Sequence, residues 1–133
     1  MIELVWDAEQ SGTALTSSGS CAVVGERAQF SPEDLVCMGV ASCLMRTVVQ
    51  RTDEAGIPIL SYAATAQVTS PDGEAPRITV HGYVVASSGA APHTVDHLCR
   101  SSVAHSPVAR LLGDRLTATW DVRVLNAPHA TVH

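Results

Sequence analysis

Ile2 to Asp7 alternates apolar and polar residues, the period-2 pattern of a half-buried strand. Thr13 to Thr16 and Ser20 to Val24 read as two more short strands, with Ser17-Ser18-Gly19 as the turn between them. Together they predict an N-terminal antiparallel meander. The period then changes. Ser31 is a fitting N-cap, Pro32 suits the first helical position, and Glu33 and Asp34 complement the positive end of a helix dipole. This helix is predicted to run to about Ala55, where Gly56 stops it and Pro58 prevents its continuation. Its first half is apolar nearly all round, which marks a buried central helix; only from Arg46 onward does it take on a surface character.

Two long strands follow, Leu60 to Thr69 and Arg77 to Ser87, joined as a hairpin through "SPDGEAP", in which Asp72-Gly73 is a strong turn signal. A second helix is predicted over about Pro92 to Ala104. Ser106-Pro107 repeats the Ser-Pro start signal and opens a short helix to Leu112, closed by Gly113. Leu116 to Leu125 is a final alternating strand, and the tail from about Asn126 is expected to fray. The order βββ-α-ββ-α-α-β defines an α+β protein with helices covering one side of antiparallel sheet.

Composition narrows the function classes. The 133 residues fit a single domain, 1–133, long enough to bury a core without staples. A net charge of −5 leaves no basic footprint, so nucleic acid is a poor partner. All 8 basic residues are arginine, which excludes Schiff-base chemistry and a Walker-type phosphate lysine. The start Met-Ile-Glu-Leu-Val-Trp-Asp is unlike a signal peptide, and the uncharged run from Leu35 to Met45 is too short to span a bilayer. A cytoplasmic protein without a membrane partner is expected, and no cofactor motif is present.

The chemistry concentrates on cysteine. Cys21, Cys37, Cys43 and Cys99 show neither zinc-ribbon spacing nor a disulfide framework. On the central helix, Cys37 and Cys43 are about 9 Å apart along the axis and roughly 120° apart around it. A disulfide needs Cα atoms within about 7 Å, so these two cannot bridge within the helix. Cys37 reads as a small core hydrophobe. Cys43 has Arg46 one turn on, and a guanidinium near a thiol favours the nucleophilic thiolate. Arg46 could equally face solvent or pair with a carboxylate.

"APHTVDHLCRSSVAHSPVARLL" places His93 and His97 at i, i+4, a spacing able to hold zinc. A third ligand would have to be Asp96, His105 or something distant, and no metal signature is complete, so an exposed polar helix face is the plainer reading. Ser106 lacks an evident base and orienter for a nucleophile; capping the Pro107 helix accounts for it better. Trp6 and Trp120 sit in strands as core or interface residues, and Cys21 is expected to pack within its strand.

"SPEDLVCMGVASCLM" resembles the start of the central helix in the OsmC/Ohr family of organic hydroperoxide reductases, through Pro32-Glu33 and Ser42-Cys43. "VAHSPVARLL" is similar to that family's Ala-His-x-x-Cys-Pro-Val segment at Ala104, His105, Pro107, Val108 and Leu112. The element order agrees over nearly the whole chain. The resemblance implies an intertwined α+β homodimer with two buried central helices and active sites at the subunit interface. It implies that Cys43 attacks the peroxide O–O bond and becomes a sulfenic acid, that Glu33 holds an activating arginine, and that a Cys-Pro cysteine resolves the sulfenic acid to a disulfide.

Two departures stand out. Ser106 occupies the resolving position, and the N-terminal hairpin has no arginine, leaving Arg27 or Arg46 as substitutes. Cys99 is a candidate displaced resolver. Two functions follow as expectations. One is a thiol peroxidase for organic hydroperoxides that uses Cys43, Glu33 and Arg46 and is reduced by an external thiol or by Cys99. The other is a non-enzymatic homodimer that binds an apolar small molecule at its interface.

Overall fold

The capping signal at Ser31 is realised in full. In the computed structural model of the chain, the Ser31 hydroxyl accepts the Asp34 N–H at 3.1 Å, and the Asp34 carboxylate accepts the Ser31 N–H at 3.1 Å. This reciprocal box satisfies two donors at the start of helix α1 (Pro32–Glu54). At its far end the Gly56 N–H reaches the Asp53 carbonyl, and Gly56 adopts φ +73°, a conformation that favours glycine.

The structure describes residues 1–6, 11–25, 30–87, 89 and 91–125. The chain forms two compact units, 1–36 and 37–133. The first carries β1 (Ile2–Trp6), β2 (Ser11–Thr16) and β3 (Cys21–Gly25) as the expected antiparallel meander, with Ile2 opposite Thr16 and Leu15 opposite Cys21. The predicted frayed tail lies outside the described residues.

The second unit holds β4 (Ile59–Thr69), β5 (Arg77–Ser87), α2 (Pro92–Ser102), α3 (Pro107–Leu112) and β6 (Leu116–Leu125). β4 and β5 form the predicted hairpin, and Gly73 at φ +74° makes its turn. One expectation is corrected: β5 and β6 pair in parallel, from Ile78 opposite Leu116 to Ser87 opposite Leu125. Helices α2 and α3 carry the chain back across the sheet, and a crossover of that length returns the next strand in the same direction. The second helix also ends earlier than its pattern predicted, giving way to a 3₁₀ turn at 103–105.

Val40, Leu44, Val48 and Thr52, spaced four apart, are the buried stripe of α1. They share a core with Val80, Val84 and Ala86 of β5, Val95 and Cys99 of α2, and Trp120 of β6. Full burial of each large aliphatic side chain contributes roughly 1.5–3 kcal/mol. Gly82 lies directly under Trp120, whose indole N–H donates to the Tyr62 hydroxyl at 3.0 Å. The first half of α1 departs from the all-round burial predicted for it: Met38 and Met45 are exposed in the single chain, as is Val49 beyond them.

Candidate active site around Cys43

Cys43 immediately precedes the buried Leu44, so its side chain emerges half-buried at the margin of the α1 core stripe. The Thr47 hydroxyl donates to the Cys43 carbonyl at 2.9 Å and ties down the turn beyond it. A second segment meets the sulfur. After the 3₁₀ turn at 103–105 the backbone becomes extended at Ser106 (φ −91°, ψ 118°), and Pro107 then opens α3.

Ser106 is fully buried, and its hydroxyl donates to Cys43 Sγ at 2.9 Å. This refines the sequence reading. Ser106 does occupy the N-cap position of α3, but its side chain makes no capping hydrogen bond. Its hydroxyl is given to the Cys43 sulfur instead. The Ser106 main chain is satisfied separately, its N–H on the Val103 carbonyl and its own carbonyl accepting the Arg110 N–H.

Cys43 opens into a cleft of about 1000 Å³ that follows α1 toward its C-terminus, bordered on the other side by His105, Pro107, Pro58 and Ile59. Arg46 lines this cleft and is exposed. Among the described residues its side chain makes no hydrogen bond or ion pair, and the donor found at the Cys43 sulfur is a hydroxyl, not a guanidinium. Arg51 lines the cleft as well. Its Nη2 donates to the Ser101 hydroxyl at 2.9 Å, and its Nε is buried without an acceptor among the described residues. Asp53 and Glu54 stand at the far end.

The other singled-out residues fall elsewhere. Glu33 is exposed in the first turn of α1, and Arg27 lies outside the described residues. Cys99 is fully buried in the core; burial, with Asp96 as a smaller contributor, pushes its thiol up to about 12. His93 and His97 are exposed on α2, and Asp96 pairs with Arg100 at 2.8 Å. No cluster of three metal-ligating side chains occurs among the described residues.

Two features carried no sequence signal. The role of Arg51 depends on the packing of α1 against α2. A surface network, His81 with Thr119 at 2.6 Å and with Asp121 at 3.0 Å, depends on the parallel register of β5 and β6.

A helix-borne thiol, held by a buried donor from a β-α-β crossover and opening into a cleft, defines a thiol-bearing α+β protein. The model of the family described as OsmC-like protein matches residues 25–121, and the chain belongs to that family. The fold is shared with an OsmC-like protein from Mycoplasma pneumoniae (TM-score 0.77, 17% identity, 94% of this chain and 96% of that one). It is shared too with the organic hydroperoxide resistance protein OsmC of Legionella pneumophila (0.68, 16%, 93% and 97%). The organic hydroperoxide resistance protein OhrB of Bacillus subtilis is a third example (0.66, 13%, 92% and 98%). No curated protein matches the chain. No helix among the described residues is long and apolar enough to cross a membrane.

Proposed function

We propose that the protein reduces organic hydroperoxides, with Cys43 as the peroxidatic thiol and Ser106 as the donor to its sulfur. The observation that carries this reading is the 2.9 Å contact from a fully buried hydroxyl to a sulfur that faces an open cleft. An O–H donor is matched to a sulfur anion before reaction and to the sulfenate oxygen after it. The Cys43 thiolate attacks the terminal peroxide oxygen and the O–O bond breaks. The alkoxide takes up a proton and leaves as the alcohol, and Cys43 is left as sulfenic acid. Relatives of the same fold are organic hydroperoxide resistance proteins, which supports the substrate class.

The functional unit is a homodimer. Met38, Met45 and Val49 form an exposed apolar line on α1, and a second copy would cover it. Glu33, Arg46 and Arg27 remain the candidates for positioning charge near the thiol. An apolar hollow of about 440 Å³ between Met38, Ser42 and Met45 of α1 and Tyr62 to Ala64 of β4 favours the second reading, a dimer that binds an apolar molecule.

Sulfenic-acid trapping during exposure to cumene hydroperoxide separates the two. An adduct on wild type that is absent from Cys43→Ser is expected; no adduct under excess peroxide would refute the peroxidase reading. Sedimentation velocity is expected to give a dimer.

A further inference from the structure

We propose that His93 and His97 of α2 form a bidentate surface site for a divalent transition-metal ion of the class Zn²⁺, Ni²⁺ or Cu²⁺. The pair stands apart from Cys43 and shares none of the residues assigned to the thiol chemistry.

Spacing in the sequence made the two histidines candidates, and the fold supplies the helix that the spacing requires. Both lie inside α2 (Pro92–Ser102). Four residues of helix set them about 6 Å apart along the axis and about 40° apart around it. Two imidazoles so placed converge in front of one face, where each gives a ring nitrogen to the same ion at roughly 2.0–2.1 Å. The turn that carries His93 is closed, because the Ala91 carbonyl accepts the Thr94 N–H at 3.0 Å and the Val95 N–H at 3.4 Å. The separation of the two rings is therefore held by the backbone.

The pair also faces the right way. Helix α2 sits on the core through Val95, Cys99 and Ser102, all buried. At about 100° per residue, His93 and His97 stand roughly 150–170° from the centre of that stripe, on the opposite side of the helix. Both are exposed. The apolar line assigned above to a second copy, Met38, Met45 and Val49, belongs to α1 and includes no residue of α2.

Asp96 lies between the two histidines in sequence, but its carboxylate is held by the Arg100 guanidinium at 2.8 Å. The chain thus supplies two nitrogens, and water completes the coordination. Such a donor set selects by ligand type. Imidazole suits zinc, nickel and copper, whereas Mg²⁺ and Ca²⁺ take oxygen ligands.

The test titrates the untagged full chain with NiCl₂ by isothermal calorimetry, alone and in excess MgCl₂, and follows the histidine ring signals by NMR. Ni²⁺ is expected to broaden the His93 and His97 rings before those of the other histidines, and excess Mg²⁺ should not displace it. His93→Gln and His97→Gln should each weaken binding about tenfold or more, because each loses the intramolecular second bond. His81→Gln, on β5, is the control and should keep the wild-type affinity. The three variants are surface changes, and urea unfolding should show each as stable as wild type. Unchanged Ni²⁺ affinity in either α2 variant, an equal loss in His81→Gln, or displacement by Mg²⁺ would overturn the proposal.

Discussion

Replacing Ser106 with alanine removes one buried oxygen and with it the donor to the Cys43 sulfur. A hydrogen bond to a charged group contributes about 1.5–3 kcal/mol. Close to half of this is offset in the rate, because a less stabilised thiolate is a better nucleophile, with a Brønsted slope of about 0.4–0.5. A net effect of about 0.8–1.6 kcal/mol remains, a fall of roughly 4- to 15-fold in peroxide reaction at pH 7. Stopped-flow mixing with cumene hydroperoxide, quenched into a sulfenic-acid trap and counted by intact mass, measures the rate directly. Urea unfolding of the same variant is expected to show a loss of only about 0.5–1.5 kcal/mol, as for a neutral hydrogen bond, so the site stays folded. A rate within twofold of wild type in a folded Ser106→Ala protein would refute the assignment of this hydroxyl to the reacting sulfur.

Ser106→Cys is expected to convert the chemistry: one equivalent of peroxide should yield a disulfide between Cys43 and the introduced cysteine by peptide mapping, since the replaced oxygen stood 2.9 Å from the sulfur. Gly82→Ala places a methyl group against the Trp120 indole and near the Tyr62 hydroxyl, and overpacking of that kind should cost about 1–3 kcal/mol in urea unfolding. The raised thiol of Cys99 gives a signed pH dependence. Its proton is lost from the unfolded chain near 9 but held to about 12 in the fold. Stability is therefore unaffected at neutral pH and falls as pH rises from about 9 to 12, by up to ~1.4 kcal/mol per unit. Denaturant titrations of Cys99→Ala should show a shallower decline, with a remainder from Tyr62, whose phenol burial also raises.

Much of the fold was legible because local chemistry and tertiary structure agree. Ser31 and Asp34 cap the helix they mark, Gly56 and Gly73 adopt the positive φ their turns need, and Ser106-Pro107 opens α3. The direction of β6 was not legible, since alternation along a strand carries no information on which way its neighbour runs. Cys43 could be singled out by its helix and by the resemblance that helix carries. The destination of the Ser106 hydroxyl could not, because a serine before a proline has the same sequence whether it caps or donates across the fold. Met38 and Met45 read as buried for a related reason: hydrophobicity marks surface that is to be covered and does not say whether the cover belongs to the same chain.

The contact between Ser106 and Cys43 spans 63 residues. At a synthesis rate of about 5–20 residues per second, the thiol is made roughly 3 to 13 s before the serine that will hold it. During that interval Cys43 is without its donor and without the crossover that forms one wall of its cleft. The Ser106 contact to this sulfur is thus acquired only when the C-terminal half has folded. A fragment that stops short of α3 would carry the thiol without its buried hydroxyl partner.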